Sequence, residues 1–113
     1  LRVNDTADAI IGDDNEITIN LTIKTGNYYA SEGDTFMQDT SGGGFTLTLP
    51  GLPFVWHHAI LIRDAAGTFK NNNLTLAYNG NKIEGALEDF IVDIDCFSGW
   101  ITWSGPTYGW IFL

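Results

Sequence analysis

The first residues with the composition of a binding site are four consecutive oxygen donors. Residues 13–16 read Asp-Asp-Asn-Glu, and calcium is bound by clustered oxygen ligands. The spacing differs from that of an EF-hand loop, because Gly12 precedes the acids and no Glu follows at the required distance. The pattern favours a solvated acidic arm or loop over residues 1–15. Calcium binding and docking of this arm on a neighbouring subunit are the alternatives.

Groups that could act in catalysis are poorly placed for it. Glu88 and Asp89 could form a glycosidase pair, but adjacent carboxylates on a predicted loop most often face solvent. Ser98 and Ser104 lack the Gly-x-Ser-x-Gly elbow. Cys96 is the only cysteine, so the chain can form neither an intrachain disulfide nor a cysteine-based zinc site. Its apolar context predicts a small buried side chain. We expect no enzymatic activity and no cofactor.

Two adjacent histidines, His57 and His58, lie in an apolar stretch over residues 55–63. Neighbours on a strand point to opposite faces, so the pair cannot easily hold one metal ion. No cysteine or carboxylate stands beside them at a familiar ligand spacing. We expect surface or inter-subunit imidazoles and no metal site.

Aromatic residues are concentrated near the C-terminal end. Trp100, Trp103, Trp110 and Phe112 lie in two apolar runs separated by residues 104–109, a pattern that predicts a hairpin with a long loop. Trp and Tyr are enriched where protein surfaces associate, and Trp can also stack on sugar rings. The pattern favours a core that extends into a subunit interface, with carbohydrate contact as the alternative.

The elements that must position these residues are short strands. Alternating apolar residues predict strands over residues 16–24, 45–49 and 90–94. Sustained helical periodicity is absent from the sequence. One wet face on most strands predicts a small antiparallel β-sandwich or barrel-like module over residues 16–113.

Tight turns separate the strands. Asn79-Gly80 predicts a type I′ turn, and we expect a two-residue hairpin that pairs residues 74–78 with residues 82–83. Gly43, within a run of three glycines, and Gly67 are predicted to define two further turns.

Net charge and amino-acid composition limit the classes of molecule that this chain is expected to bind. The net charge is −9, with 5 Lys and Arg residues among 113, which disfavours binding to nucleic acid phosphates and to anionic membranes. Charged residues make up 17% of the chain, against roughly 25% in an ordinary domain. A surface with so few charges indicates a buried interface between subunits.

Several of these segments, taken in order, carry a family resemblance. They include the Gly-Asp … Asp-Thr-Ser-Gly-Gly … Thr-Leu-Thr-Leu-Pro run of residues 33–50, Asp-Ala-Ala-Gly-Thr-Phe over 64–69, and Asn-Asn-Leu-Thr-Leu over 72–76. Asn-Gly-Asn-Lys-Ile-Glu-Gly over 79–85, Glu88-Asp89 and Gly109-Trp110 follow. Over residues 28–112 the chain resembles a small β module of tailed-bacteriophage virion proteins.

That resemblance implies a structural, non-enzymatic and often trimeric part of the virion surface. We expect a homotrimer that contacts other virion proteins. It would serve as a capsid decoration protein against the major capsid protein, or as a tail-fibre or spike module that joins a fibre shaft and contacts a host-surface glycan. A free carbohydrate-binding module is the further alternative.

Overall fold

A computed structural model describes residues 22–53 and 58–113. Within these ranges the chain is all-β, as predicted, with no helix and therefore none long and apolar enough to cross a membrane. The strands are β1 (Ile23–Lys24), β2 (Tyr28–Tyr29), β3 (Met37–Gln38), β4 (Phe45–Thr48), β5 (Ile60–Arg63), β6 (Leu74–Ala77), β7 (Phe90–Val92), β8 (Ser98–Trp103) and β9 (Trp110–Phe112).

The four-stranded sheet has the order β2-β4-β6-β7. Strands β2, β4 and β6 run parallel, and only β7 is antiparallel to its neighbour. The expectation of a purely antiparallel fold is therefore wrong. The chain leaves β4, crosses to another sheet to form β5 and then returns as β6, and such a crossover places two strands side by side in the same direction.

The other strands form a second, longer row. β5, β8 and β9 make an antiparallel sheet in which Trp103 pairs with Trp110 across the predicted C-terminal hairpin. β1 and β3 pair in parallel, and a bridge between Gln38 and Asp64 joins β3 to the end of β5. The hydrogen bond from Ala65 N to Gln38 O (2.8 Å) strengthens this junction. The resulting order is β1-β3-β5-β8-β9.

One hydrophobic core joins the two rows. Phe45, Leu47 and Leu49 alternate inward along and just beyond β4, as their spacing predicts. Ile60 and Ile62 of β5 are completely buried in the same core. Because side chains alternate between inward and outward along these short strands, each row supplies one apolar face to the core.

The Asn79-Gly80 turn forms, but the hairpin expected from it does not. Asn79 and Gly80 have φ angles of 49° and 87°, and Asn81 N donates to Tyr78 O at 3.0 Å. The chain beyond the turn packs against β9 instead, where Trp110 N donates to Lys82 O at 2.7 Å. Strand β6 already has β4 and β7 on its two edges, so no edge remains for a hairpin partner.

Three sequence predictions fall wholly or partly outside the described residues. They are the acidic arm with its calcium alternative over residues 1–16, the first six residues (16–21) of the strand predicted over residues 16–24, and His57. His58 is exposed.

Candidate interaction surface

The junction between β3 and β5 is a buried polar seam, which we define as Gln38, Asp64 and their hydrogen-bond partners. The Gln38 amide nitrogen lies within 3.2 Å of Tyr28 Oη, Phe36 O and Leu61 O. The amide oxygen accepts from Arg63 N at 2.8 Å. Because both ends of this completely buried amide have partners, the seam fixes the register of the two strands.

Asp64 completes the seam with a carboxylate that is only 2% exposed. One oxygen accepts from the backbone N–H groups of Gly67 (2.9 Å) and Thr68 (3.1 Å). The other accepts from Phe69 N (3.1 Å) and Cys96 N (2.9 Å). Burial alone would raise the pKa of Asp64, but these four donors outweigh it and lower the pKa. The carboxylate therefore ties the loop after β5 to the loop before β8.

The start of the two rows forms an aromatic edge, which we define as β1, β2 and the Phe36 ring. The Lys24 ammonium group lies 4.6 Å from the centroid of the Phe36 ring and 5.3 Å from that of Tyr28, within the range of cation–π attraction. Burial raises the pKa of Tyr28 to about 12. Tyr29, its neighbour on β2, is 81% exposed. At this edge the Lys24 ammonium group thus lies against two aromatic rings of its own chain, and the separate ring of Tyr29 is exposed to water.

The opposite end of the molecule contains an open apolar groove of about 330 Å³. Residues 90–94, 97–99 and 112–113 line it, and we call it the C-terminal groove. Its floor is a ring cluster in which Phe112 lies 5.3 Å from Phe90 and 5.5 Å from Phe97, measured between centroids. Ile94 is 62% exposed and Leu113 is 79% exposed. The groove therefore keeps a contiguous apolar surface in contact with water.

The charge at the groove is acidic. Asp93 is the one charged side chain among the described residues that line it. Glu84 adds a second carboxylate, which accepts from Phe112 N at 2.8 Å. Arg63 faces Ser98 across the β5–β8 ladder and donates to Cys96 O at 3.3 Å. The groove thus has apolar walls with one carboxylate, Asp93, in its lining, while Glu84 and Arg63 lie next to residues that line it.

The four predicted interface aromatics fall into two groups. Trp103 and Trp110 are buried in the chain's own core and pack edge to face, with 5.7 Å between their ring centroids. Trp100 is 40% exposed, and Phe112 lines the groove. Only the second pair is placed to meet a partner. Burial of Trp103 and Trp110 removes two of the three rings that could have formed a platform for a sugar.

Sequence reasoning missed the exposure of Ile94, which borders the groove together with the exposed Ile91. The alternation assigned Ile94 to the buried face of a strand over residues 90–94, but β7 ends at Val92 and the side chain of Ile94 lies outside the core. An available signal was that Ile91 places an apolar side chain on the face that also bears Asp93 and Asp95.

Cys96 is not the buried strand residue that the sequence predicts. It is exposed and adopts a φ of 62° in the loop before β8, because its N–H turns inward to the Asp64 carboxylate. Glu88 and Asp89 lie on a loop, as expected, and Asp89 accepts from Tyr78 N at 3.1 Å. Among the described residues, no three His, Cys, Asp or Glu side chains are grouped as metal ligands.

The chain matches no protein-family model, and a search of curated proteins found no significant match.

Proposed function

We propose that this protein is a non-enzymatic structural component of the surface of a tailed-phage virion, and that it assembles as a homotrimer. In this proposal it decorates the capsid and contacts the major capsid protein. The two strand rows would form the layers of a sandwich-like module. Two observations support this: residues 28–112 resemble a β module of tailed-phage virion proteins, and the folded molecule has an open apolar groove at one end.

The groove is the observation that carries the assembly part of this proposal. An exposed apolar patch on a soluble domain is a common mark of a protein–protein contact. Here the patch coincides with a chain in which only 17% of residues are charged. Phe112, one of the predicted interface residues, lines it, and Trp100, another, is partly exposed. A trimer would cover this surface.

Light scattering of the purified chain tests the assembly. We expect a mass of about 37 kDa, which is three times the 12.4 kDa of one chain. A folded monomer at a concentration of 100 µM, chosen as about a hundredfold above a micromolar dissociation constant, would contradict the trimer.

Antibody labelling of virions tests the location. Antibodies raised against this chain would be applied to particles of the phage that encodes it and viewed by electron microscopy. Labels distributed over the head support capsid decoration, and labels at the tail tips support the tail-fibre or spike alternative. Labels on neither structure would overturn the virion proposal.

A glycan-binding assay distinguishes the virion proposal from the remaining alternative, a carbohydrate-binding module. A carbohydrate-binding module would bind sugars through an exposed ring such as Trp100, and a glycan array would detect this. Because Trp103 and Trp110 are buried, we expect no binding that depends on them.

A further inference from the structure

The turn that follows β6 is attached to the loop that follows β4 by two side-chain amides. Asn79 Nδ2 donates to Leu49 O at 3.0 Å. Asn81 Nδ2 donates to Gly51 O at 3.0 Å and to Pro50 O at 3.3 Å. Residue 51 leaves room for this contact because it is glycine, since an added Cβ there would lie 2.9 Å from Asn79 Nδ2. We call these hydrogen bonds the amide clamp.

Asn79 is also the only asparagine in the chain that is followed by glycine. In such a pair the backbone nitrogen of the second residue can attack the side-chain amide carbon of the first, because glycine has no Cβ to obstruct the approach. Both residues are exposed, and among the described residues the Gly80 N–H donates to no acceptor. An added Cβ at Gly80 would meet no atom within 4 Å. The nucleophilic nitrogen is therefore unhindered and free of hydrogen bonds to the described part of the chain.

We propose that Asn79 is a site of spontaneous deamidation, and that the reaction opens the amide clamp. The Gly80 nitrogen gives its proton to water and forms a bond to Asn79 Cγ, the Cγ–Nδ2 bond breaks, and the amide nitrogen leaves as ammonia after taking a proton from water. A water molecule then opens the resulting succinimide at either carbonyl, which yields aspartate or isoaspartate. No oxidant or reductant takes part, and the net change replaces an amide by a carboxylate. The site does not depend on the proposed assembly.

Neither product can make the bond to Leu49. Asn79 has a φ of 49°, and aspartate tolerates this left-handed conformation much as asparagine does, so the backbone of the turn can keep its path. A carboxylate has no hydrogen to donate, however, and it would place a negative charge against the Leu49 carbonyl oxygen. Isoaspartate also lengthens the backbone by one carbon and so alters the turn itself. Deamidation therefore releases the loop after β4 from one half of the clamp.

The clamp should also control the rate of the reaction. While Asn79 Nδ2 is bound to Leu49 O, the side chain is held against the neighbouring loop, and attack by the Gly80 nitrogen requires the turn to open locally. Local opening of an exposed turn needs less free energy than unfolding of the whole domain. We therefore expect Asn79 to react more slowly in the folded chain than in the unfolded chain, but to a measurable extent within several weeks.

Peptide mass spectrometry tests the reaction. The purified chain would be kept at physiological temperature and mildly alkaline pH for several weeks, with a parallel sample unfolded in urea. We expect the peptide that contains Asn79 to gain the mass difference between –NH2 and –OH, and chromatography to separate its aspartate and isoaspartate forms. The same peptide of the Asn79→Asp variant is the matched control and should gain no mass. Absence of the gain in the folded chain would overturn the site, and equal rates in the folded and unfolded samples would overturn the control by the clamp.

Hydrogen exchange tests the consequence, with Asn79→Asp as the aspartate product. Leu49 N donates to Ala77 O, and Asn81 N closes the turn, so the exchange of these two N–H groups reports on both sides of the clamp. We expect both to exchange roughly fivefold faster in Asn79→Asp than in the unaltered chain, as the loss of one hydrogen bond predicts. Asn71→Asp adds the same charge at an exposed asparagine of the loop before β6 and should leave both rates unchanged. If the two variants exchange alike, deamidation does not open the clamp.

Discussion

The polar seam and the C-terminal groove differ in which side chains they bury: the seam buries polar groups, and the groove leaves apolar groups exposed. In the seam, Gln38 and Asp64 are almost completely buried, and each of their polar atoms has a partner. In the groove, Ile91, Ile94 and Leu113 are apolar and yet exposed. A buried polar group must be satisfied for the chain to fold, whereas an exposed apolar group contributes little to folding. The seam therefore specifies the fold, and the groove is available for association.

The comparison predicts that stability and assembly can be altered separately. Changes in the seam should lower the stability of the monomer with little direct effect on the surface of the groove. Changes in the groove should abolish association and leave the monomer as stable as before. Variants at the two sites, measured by both denaturation and light scattering, would show whether the two properties are independent.

Asp64→Asn should give the largest loss of stability. An amide oxygen can replace one carboxylate oxygen, but the amide nitrogen would face two backbone N–H donors. Each orphaned buried donor costs roughly 1–3 kcal/mol, so we expect the free energy of unfolding to fall by about 2–4 kcal/mol. Urea denaturation measures it. Asp39→Asn is the matched control, because Asp39 also accepts a backbone N–H, from Ser41, but is much less buried. An equal loss in both variants would contradict the central role of Asp64.

Acidification should act on the same carboxylate. Its pKa is lower in the folded chain than in the unfolded one, so its contribution to stability is complete above the unfolded pKa of about 3.9. That contribution declines as the pH falls below this value and is lost once the pH drops through the folded pKa. We expect the urea midpoint of the unaltered chain to fall below about pH 4. The Asp64→Asn variant should show a smaller fall over the same range, and equal slopes would exclude Asp64 as a main source.

Sequence reasoning located what depends on local spacing. The alternation of Phe45, Leu47 and Leu49 identified a buried face, because side chains on a strand alternate regardless of what the strand pairs with. The Asn79-Gly80 turn was equally local, since it depends on the φ angles that two adjacent residues tolerate.

Sequence reasoning did not predict the features that depend on residues far apart in the chain, such as strand pairing. One of the two partners of β6 is β4, which lies some thirty residues earlier and runs parallel, and no pattern within either strand encodes that choice. The role of Asp64 was hidden for the same reason. Its partners are backbone N–H groups, which every residue except proline carries, so their identity leaves no trace in the sequence.

Gly80→Val tests the turn that leads from β6 toward the segment packed on β9. Gly80 has a φ of 87°, and an added Cβ would meet no atom within 4 Å. The effect should therefore arise from backbone strain alone, and we expect a loss of about 1–3 kcal/mol. Gly26→Val is the matched control, because Gly26 also has open space around it but no positive φ. Urea midpoints of the two variants should differ. If they coincide, the turn does not need the positive φ of Gly80.

Ile94→Ala should have the smallest effect on the monomer and the clearest effect on assembly. Two residues earlier, Val92 is 3% exposed in the core, and Val92→Ala should cost roughly 1–3 kcal/mol through lost packing. Ile94 makes its contacts at the open groove, so at a dilution where chains are monomeric Ile94→Ala should change stability by less than about 0.5 kcal/mol.

The effect of Ile94→Ala on assembly should appear in the melting temperature as the concentration of the chain rises. Association stabilises the folded state by mass action, so the melting temperature of the unaltered chain should increase with concentration. We expect that of Ile94→Ala to stay flat, while Val92→Ala keeps the upward slope of the unaltered chain from a lower starting value. Thermal melts across a hundredfold range of concentration would measure all three. A slope in Ile94→Ala equal to that of the unaltered chain would mean that the groove takes no part in association, and that its exposed apolar surface does not serve a contact between copies.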